Sequence, residues 1–280
     1  MKKTIITLKI INDFKKYLIE NEKTEATIQK YMRDIHSFAD YTDGNIPDKA
    51  MVLEYKSSLA EKYAIRSTNS MLAALNAFFR FVGWNDLCVK QFKLQNEAYC
   101  SEEKELTRAE YTSLVRAAEQ KKNERLSLVV QTICGTGIRV SELQYITVEA
   151  VRRGEAEVSC KGKTRKIFIV RALKKKLLRY AAEQGITTGI LFVTKKGKPL
   201  DRSNIWRQMK ELCEEAGVSP QKVFPHNLRH LFARTFYGIE KDIAKLADIL
   251  GHSNINTTRI YIITTGAEHQ RRMENMRLII

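Results

Sequence analysis

The chain has 280 residues, 44% of them hydrophobic and 29% charged, which excludes a disordered polymer, a collagen-like repeat and a disulfide mini-scaffold and leaves room for two domains. Forty-eight Lys and Arg against 32 Asp and Glu give a formal charge of +16, distributed as +3 over residues 1–100 and +13 over the remainder. So basic a chain expects an anionic partner, and nucleic acid suits it better than a membrane surface.

Elements follow in chain order. The start, MKKTIITLKIINDFKK, imitates a secretory signal, but Lys9 interrupts the apolar run and no small-residue cleavage site follows. From Ile5 to about Trp84 the pattern is helical: Leu18, Ile28, Tyr31, Met32, Ile35 and Phe38 recur at three- and four-residue steps within successive helices. Thr24 is placed to cap one helix, and Ser67-Thr68-Asn69 to cap another whose stripe is Leu72, Leu75, Phe78, Phe79 and Val82. This predicts an all-helical domain of about four helices over residues 1–95. Residues 96–106, QNEAYCSEEKE, are polar and aperiodic, the pattern of a linker.

A second domain, 107–280, opens with Thr107 and Glu110 as a capping box. Glu155–Cys160 and Lys166–Val170 predict two short strands around a Lys-Gly-Lys-Thr-Arg turn. Helical patterns then resume at residues 171–184, 203–217, 224–238 and 243–252. The fold class is mostly α with a small antiparallel β-sheet. Gly266 can close the segment before a tail helix, Ala267–Ile280, with Met273, Met276 and Ile280 on one stripe. Five cysteines without CxxC spacing predict reduced thiols, and no run approaches the roughly 18 apolar residues of a membrane span. A cytoplasmic protein without a membrane partner is expected.

Two partial motifs fail. Gly162-Lys163-Thr164 lacks the glycine of a phosphate loop, since Glu157 stands there, and it lies between strands. His226 and His230 have the i, i+4 spacing of a zinc pair, but no glutamate stands between them and Arg229 would oppose the ion; no metal is expected. The remaining polar residues suit metal-free phosphoryl transfer. Arg139 and Arg229 can hold non-bridging phosphate oxygens, His226 and His252 can exchange protons, Lys161 can protonate a leaving alkoxide and Tyr261 can attack phosphorus.

Their order and flanks resemble the tyrosine recombinases, the phage-integrase and Xer-type site-specific recombinases. The resemblance is carried by Thr136-Gly137-x-Arg139-x-Ser141-Glu142-Leu143, Lys161-Gly162, His226-x-x-Arg229-His230 and Leu250-Gly251-His252, with Tyr261 nine residues later. Less specifically, Thr27-x-x-x-Tyr31-x-x-Asp34 and the Leu72–Phe79 helix are similar to the family's SAM-like core-binding domain. Cys160 departs from the glycine that often precedes the Lys-Gly turn.

The resemblance implies an α+β catalytic domain that cleaves and rejoins DNA through a 3′-phosphotyrosyl link, with no cofactor. Tyr261 would be the nucleophile, Lys161 the general acid, His226 the acid/base, Arg139 and Arg229 the charge stabilisers and His252 a donor to the phosphate; Glu142 would be structural. It implies double-stranded DNA as partner, a tetramer on two sites and accessory DNA-bending or directionality proteins as further candidates; the tail helix either docks on a neighbouring subunit, as the resemblance favours, or folds back on its own domain. Since the chain begins with the core-binding domain, the arm-binding domain of larger integrases is expected to be absent. Arg66, Asn69 and Lys163 are candidate DNA contacts. A type IB topoisomerase shares the chemistry, and a regulator that lost catalysis would share the fold.

Overall fold

A computed structural model describes residues 3–94, 104–160, 163–194, 196–261, 270 and 273–276. The chain divides into two compact units, Met1–Asn96 and Glu97–Ile280.

In the first unit, α1 (Leu8–Glu20), α2 (Glu25–Thr42), α3 (Lys49–Lys62) and α4 (Ile65–Phe81) are followed by a short 3-10 turn, Asn85–Leu87. Thr7, Thr24 and Asp48 each accept a backbone N–H from the first turn that they cap. Phe14, Phe38, Phe78 and Phe79 are fully buried. Phe14 meets Phe78, and Phe38 meets Phe79, edge to face at centroid distances of 5.3 and 5.7 Å. Each such pair adds about 0.5–1.5 kcal/mol beyond its area burial.

One expected cap is corrected. Helix α4 begins at Ile65, so Thr68 and Asn69 lie inside it, buried. Thr68 Oγ1 donates to Leu59 O at 3.2 Å. Asn69 gives its amide to Phe92 O at 2.9 Å and accepts from Phe92 N at 2.8 Å. Asn76, two turns on, holds Val89 in the same way at 2.8 and 2.9 Å. Asn69, buried, thus holds Phe92 as Asn76 holds Val89. Arg66 is exposed in the first turn.

The second unit begins inside the stretch expected to be a linker. Leu106 is buried and Glu105 pairs with Arg234, so residues 104–106 join this core. The order is α5 (Arg108–Gln120), α6 (Glu124–Thr136), a 3-10 segment (Val140–Tyr145), α7 (Val148–Arg153), β1 (Glu155–Cys160), β2 (Lys163–Phe168), α8 (Arg171–Glu183), α9 (Arg202–Lys210), α10 (Cys213–Ala216), α11 (Pro225–Glu240), α12 (Ile243–Leu250) and α13 (Ile255–Arg259). Thr107 and Glu110 form the expected capping box on α5. Buried Val129, Val130, Ile133, Val158, Leu177 and Leu228 join α6, the hairpin, α8 and α11 in one core.

The strands pair antiparallel, Glu155 opposite Phe168 and Cys160 opposite Lys163. The second strand therefore starts at Lys163 rather than Lys166, and Lys163-Thr164-Arg165 belong to the strand. Of the tail, residues 273–275 are helical and Met273 and Met276 are exposed; the rest of the expected helix, including Ile279 and Ile280, lies outside the described residues, as does Gly266. Cys88, Cys134 and Cys213 are free thiols. Among the described residues no helix is long and apolar enough to cross a membrane.

Candidate active site

Helix ends position the site. Helix α6 closes at Gly137 (φ 65°), and α12 at Gly251 (φ 65°). The left-handed conformation turns the chain out of each helix and favours glycine. Space demands it too: a Cβ at Gly137 would fall 2.5 Å from Phe232, and one at Gly251 would fall 2.6 Å from Arg165. Each turn delivers one site residue, Arg139 two positions after Gly137 and His252 directly after Gly251.

Arg139 begins a short 3-10 segment. Glu142, its side chain 5% exposed, accepts the Arg139 backbone N–H at 2.9 Å, Arg139 Nη1 at 2.8 Å and Arg165 Nη2 at 2.5 Å. Burial alone would raise the Glu142 carboxyl, but the Arg139 N–H and the two guanidiniums outweigh it and hold it below the ordinary value. Arg165 Nη1 also donates to Ile249 O at 3.0 Å. Glu142 thus ties Arg139 to the hairpin through Arg165, and Arg165 ties the hairpin to the end of α12. Arg165 is the site residue that sequence reading missed, having been placed in a basic turn.

Helix α11 starts with Pro225 at its first position, where the missing N–H costs no bond. It carries His226, Arg229 and His230. Arg229 is 1% exposed. It donates to Gly137 O, to Leu250 O at 2.7 Å and to His252 Nε2 at 3.0 Å. Burial, then the charge on Arg139, lowers it to about 10, so it stays cationic at neutral pH. A side-chain hydrogen bond with Tyr261 acts on it as well. Buried Nε finds no partner among the described residues.

Tyr261 is 2% exposed, its ring among Ala233, Leu246 and Leu250. Its hydroxyl lies 3.3 Å from His226 Nε2. The His230 and His252 rings flank it at centroid distances of 4.3 and 5.5 Å. Desolvation, then Arg229, Arg139 and Arg202, holds His226 below its ordinary value. His252 falls to about 4 through burial and the Arg229, Arg139 and Arg165 charges. His230 falls to about 4 through burial and its two neighbours His226 and Arg229. All three imidazoles are neutral at pH 7.

Arg139, His226 and Arg229 line a cleft of about 850 Å³, with Ser141 beside them and Arg202, Ser203 and Trp206 of α9 on another wall. Of the six expected catalytic residues, Arg139, His226, Arg229, His252 and Tyr261 are brought together. Lys161 lies outside the described residues, and Lys163 opens β2. His252 Nε2 lies 3.0 Å from Arg229 Nη2, which donates to it. Among the described residues no three His, Cys, Asp or Glu side chains converge as a metal site requires.

The family model described as phage integrase matches residues 104–267, and that of the phage integrase N-terminal SAM-like domain matches residues 11–85. Tyrosine recombinase XerA of Pyrococcus furiosus is 30% identical over 288 residues, covering 100% of this chain and 98% of that protein. Among solved structures, the fold is similar to a lambda integrase dimer bound to a COC′ core site (TM-score 0.73, 18% identity, 92% of this chain and 78% of that one). It is similar also to the XerH site-specific recombinase bound to difH substrate in a pre-cleavage complex (TM-score 0.67, 18% identity, 97% and 99%). With a family model matching more than half its length and a full-length relative at this identity, the chain belongs to the phage integrase family of tyrosine recombinases.

Proposed function

We propose that the chain is a site-specific recombinase that cleaves and rejoins double-stranded DNA through Tyr261. The observation that carries this reading is one cleft lined by Arg139 and Arg229, with the Tyr261 hydroxyl held by a neutral His226 at its edge. A phosphodiester seated there meets cationic donors that buried hydrogen bonds have already oriented. Each such donor is worth roughly 2.7–4 kcal/mol in the transition state. The buried Nε of Arg229, without a hydrogen-bond partner among the described residues, supports an anion at this place.

Tyr261 Oη forms a bond to phosphorus as the bond to the 5′ oxygen breaks. The phenol proton passes to His226 Nε2, and Lys161 gives a proton to the leaving 5′-hydroxyl. Rejoining reverses both transfers. The 3′-phosphotyrosine keeps the diester linkage, so rejoining needs no nucleotide triphosphate. Residues 1–95 serve as the core-binding domain, with exposed Arg66 as a phosphate contact, and residues 107–280 as the catalytic domain. Lys163 follows the general acid as a second DNA contact. Four copies act on two sites in the cytoplasm, with DNA-bending or directionality proteins as auxiliaries.

The test is covalent trapping on a suicide substrate nicked beside the cleavage point, the site first located by footprinting on DNA flanking the gene. Tyr261→Phe, which removes only the nucleophilic oxygen, is expected to abolish the adduct and leave binding nearly intact. An adduct that persists in the variant overturns the assignment. Relaxation of supercoiled DNA lacking any such site would favour a topoisomerase instead.

A further inference from the structure

We infer that Thr258 is a positioning residue: its hydroxyl fixes His252 as the Nδ1–H tautomer and so makes His252 the acceptor that orients Arg229. A guanidinium can only donate. The 3.0 Å contact from Arg229 Nη2 therefore obliges His252 Nε2 to accept. A neutral imidazole that accepts at Nε2 carries its proton on Nδ1. That nitrogen lies 2.9 Å from Thr258 Oγ1, which takes the proton as acceptor. The low basicity of His252, about 4, agrees with a neutral ring pinned between two partners.

Thr258 is fully buried, and its backbone carbonyl accepts the Tyr261 N–H at 3.0 Å. A single residue thus holds the tautomer of His252 with its side chain and the turn bearing Tyr261 with its backbone. Removal of the hydroxyl leaves Nδ1–H buried without an acceptor. Moving the proton to Nε2 relieves that but aims it at the Arg229 guanidinium. The buried unpaired donor of the first case favours the second, in which Arg229 loses an orienting partner while its own charge and its bonds to Gly137 and Leu250 remain.

The test uses the full chain and two variants, Thr258→Val, which matches the shape without the hydroxyl, and Thr258→Ser, which restores it. Ring-nitrogen NMR on histidine-labelled protein, with His252 identified by the loss of its resonances in His252→Gln, reads the tautomer without DNA. Nδ1–H is expected in the parent and in Thr258→Ser, and a shift toward Nε2–H in Thr258→Val. The kinetic arm rests on the recombinase reading. Single-turnover cleavage of the suicide substrate should slow about tenfold in Thr258→Val, the worth of one ordinary hydrogen bond. It should recover to within about twofold in Thr258→Ser, with half-site affinity unchanged in both. An Nε2–H tautomer in the parent, an unchanged tautomer in Thr258→Val, or unchanged cleavage by that variant overturns the inference. Absence of any adduct in the parent would refute the recombinase reading and leave the tautomer result to decide the role of Thr258.

Discussion

Replacing Glu142 by Gln probes the join between Arg139 and the hairpin without changing shape. Glu142 accepts three hydrogen bonds, at 2.9, 2.8 and 2.5 Å, from the Arg139 backbone, Arg139 Nη1 and Arg165 Nη2. Glutamine keeps one oxygen, puts an amide donor where the other accepted, and removes the negative charge that two guanidiniums share. Breaking a buried pair costs roughly 3–5 kcal/mol. The Arg139 side chain is 37% exposed, so water screens its share. We expect about 2–3 kcal/mol, which for a unit of this size lowers Tm by roughly 5–10 °C. Thermal unfolding of the full chain, followed at pH 7 by circular dichroism, reads it. The Glu142 carboxyl sits below its ordinary value of 4.5 when folded. Its stabilisation is therefore complete above that pH and is lost as pH falls through the lower folded value. The gap between parent and variant should close in acid. A variant melting within about 1 °C of the parent at pH 7 would refute the counter-charge role, as would a gap that is independent of pH.

Other outcomes follow from the same geometry. Lys161→Ala should slow cleavage of an ordinary 5′-oxygen substrate far more than one with a 5′-bridging sulfur, whose thiolate leaves unprotonated; equal slowing would move the acid elsewhere, with Lys163 first to test. Gly137→Ala should cost about 2–4 kcal/mol in a urea melt, from the left-handed backbone and the forced approach to Phe232. His230, basic to about 4 when folded and 6.5 ordinarily, binds its proton more readily unfolded; Tm should fall as pH drops from about 6.5 to about 4, and His230→Gln should flatten that fall. Asn69→Ala should lower stability by about 1–3 kcal/mol, by leaving the Phe92 amide and carbonyl unpaired, and a loss of DNA affinity without that destabilisation would contradict its role as a clamp. The log affinity for DNA should fall steeply with log salt, because a +16 chain displaces many counterions.

What the sequence disclosed depended on how far each residue's partner lies along the chain. Thr24 and Thr107 cap helices that begin at the next residue, and the Leu72–Phe79 stripe follows from period alone. Arg139 and His252 were legible from the short motifs that carry the resemblance, Thr136-Gly137-x-Arg139 and Leu250-Gly251-His252, and in the structure each follows a glycine that closes a helix in the left-handed conformation. Asn69 was misread because Ser67-Thr68-Asn69 has the chemistry of a cap, while its partner, Phe92, lies 23 residues away. Arg165 was hidden by composition. In Lys163–Phe168, charged residues mask the strand alternation, yet Arg165 and Ile167 take the inward positions while Thr164, Lys166 and Phe168 are exposed. An arginine on an inward strand face needs a buried acceptor. Glu142 supplies it from 23 residues upstream, on a segment whose Arg139 already had a role. The two readings that failed here, a capping Asn69 and a turn-borne Arg165, share one physical origin. Each is a polar side chain largely withdrawn from water whose fitness is decided by a partner on another element, and neither period nor propensity carries that information.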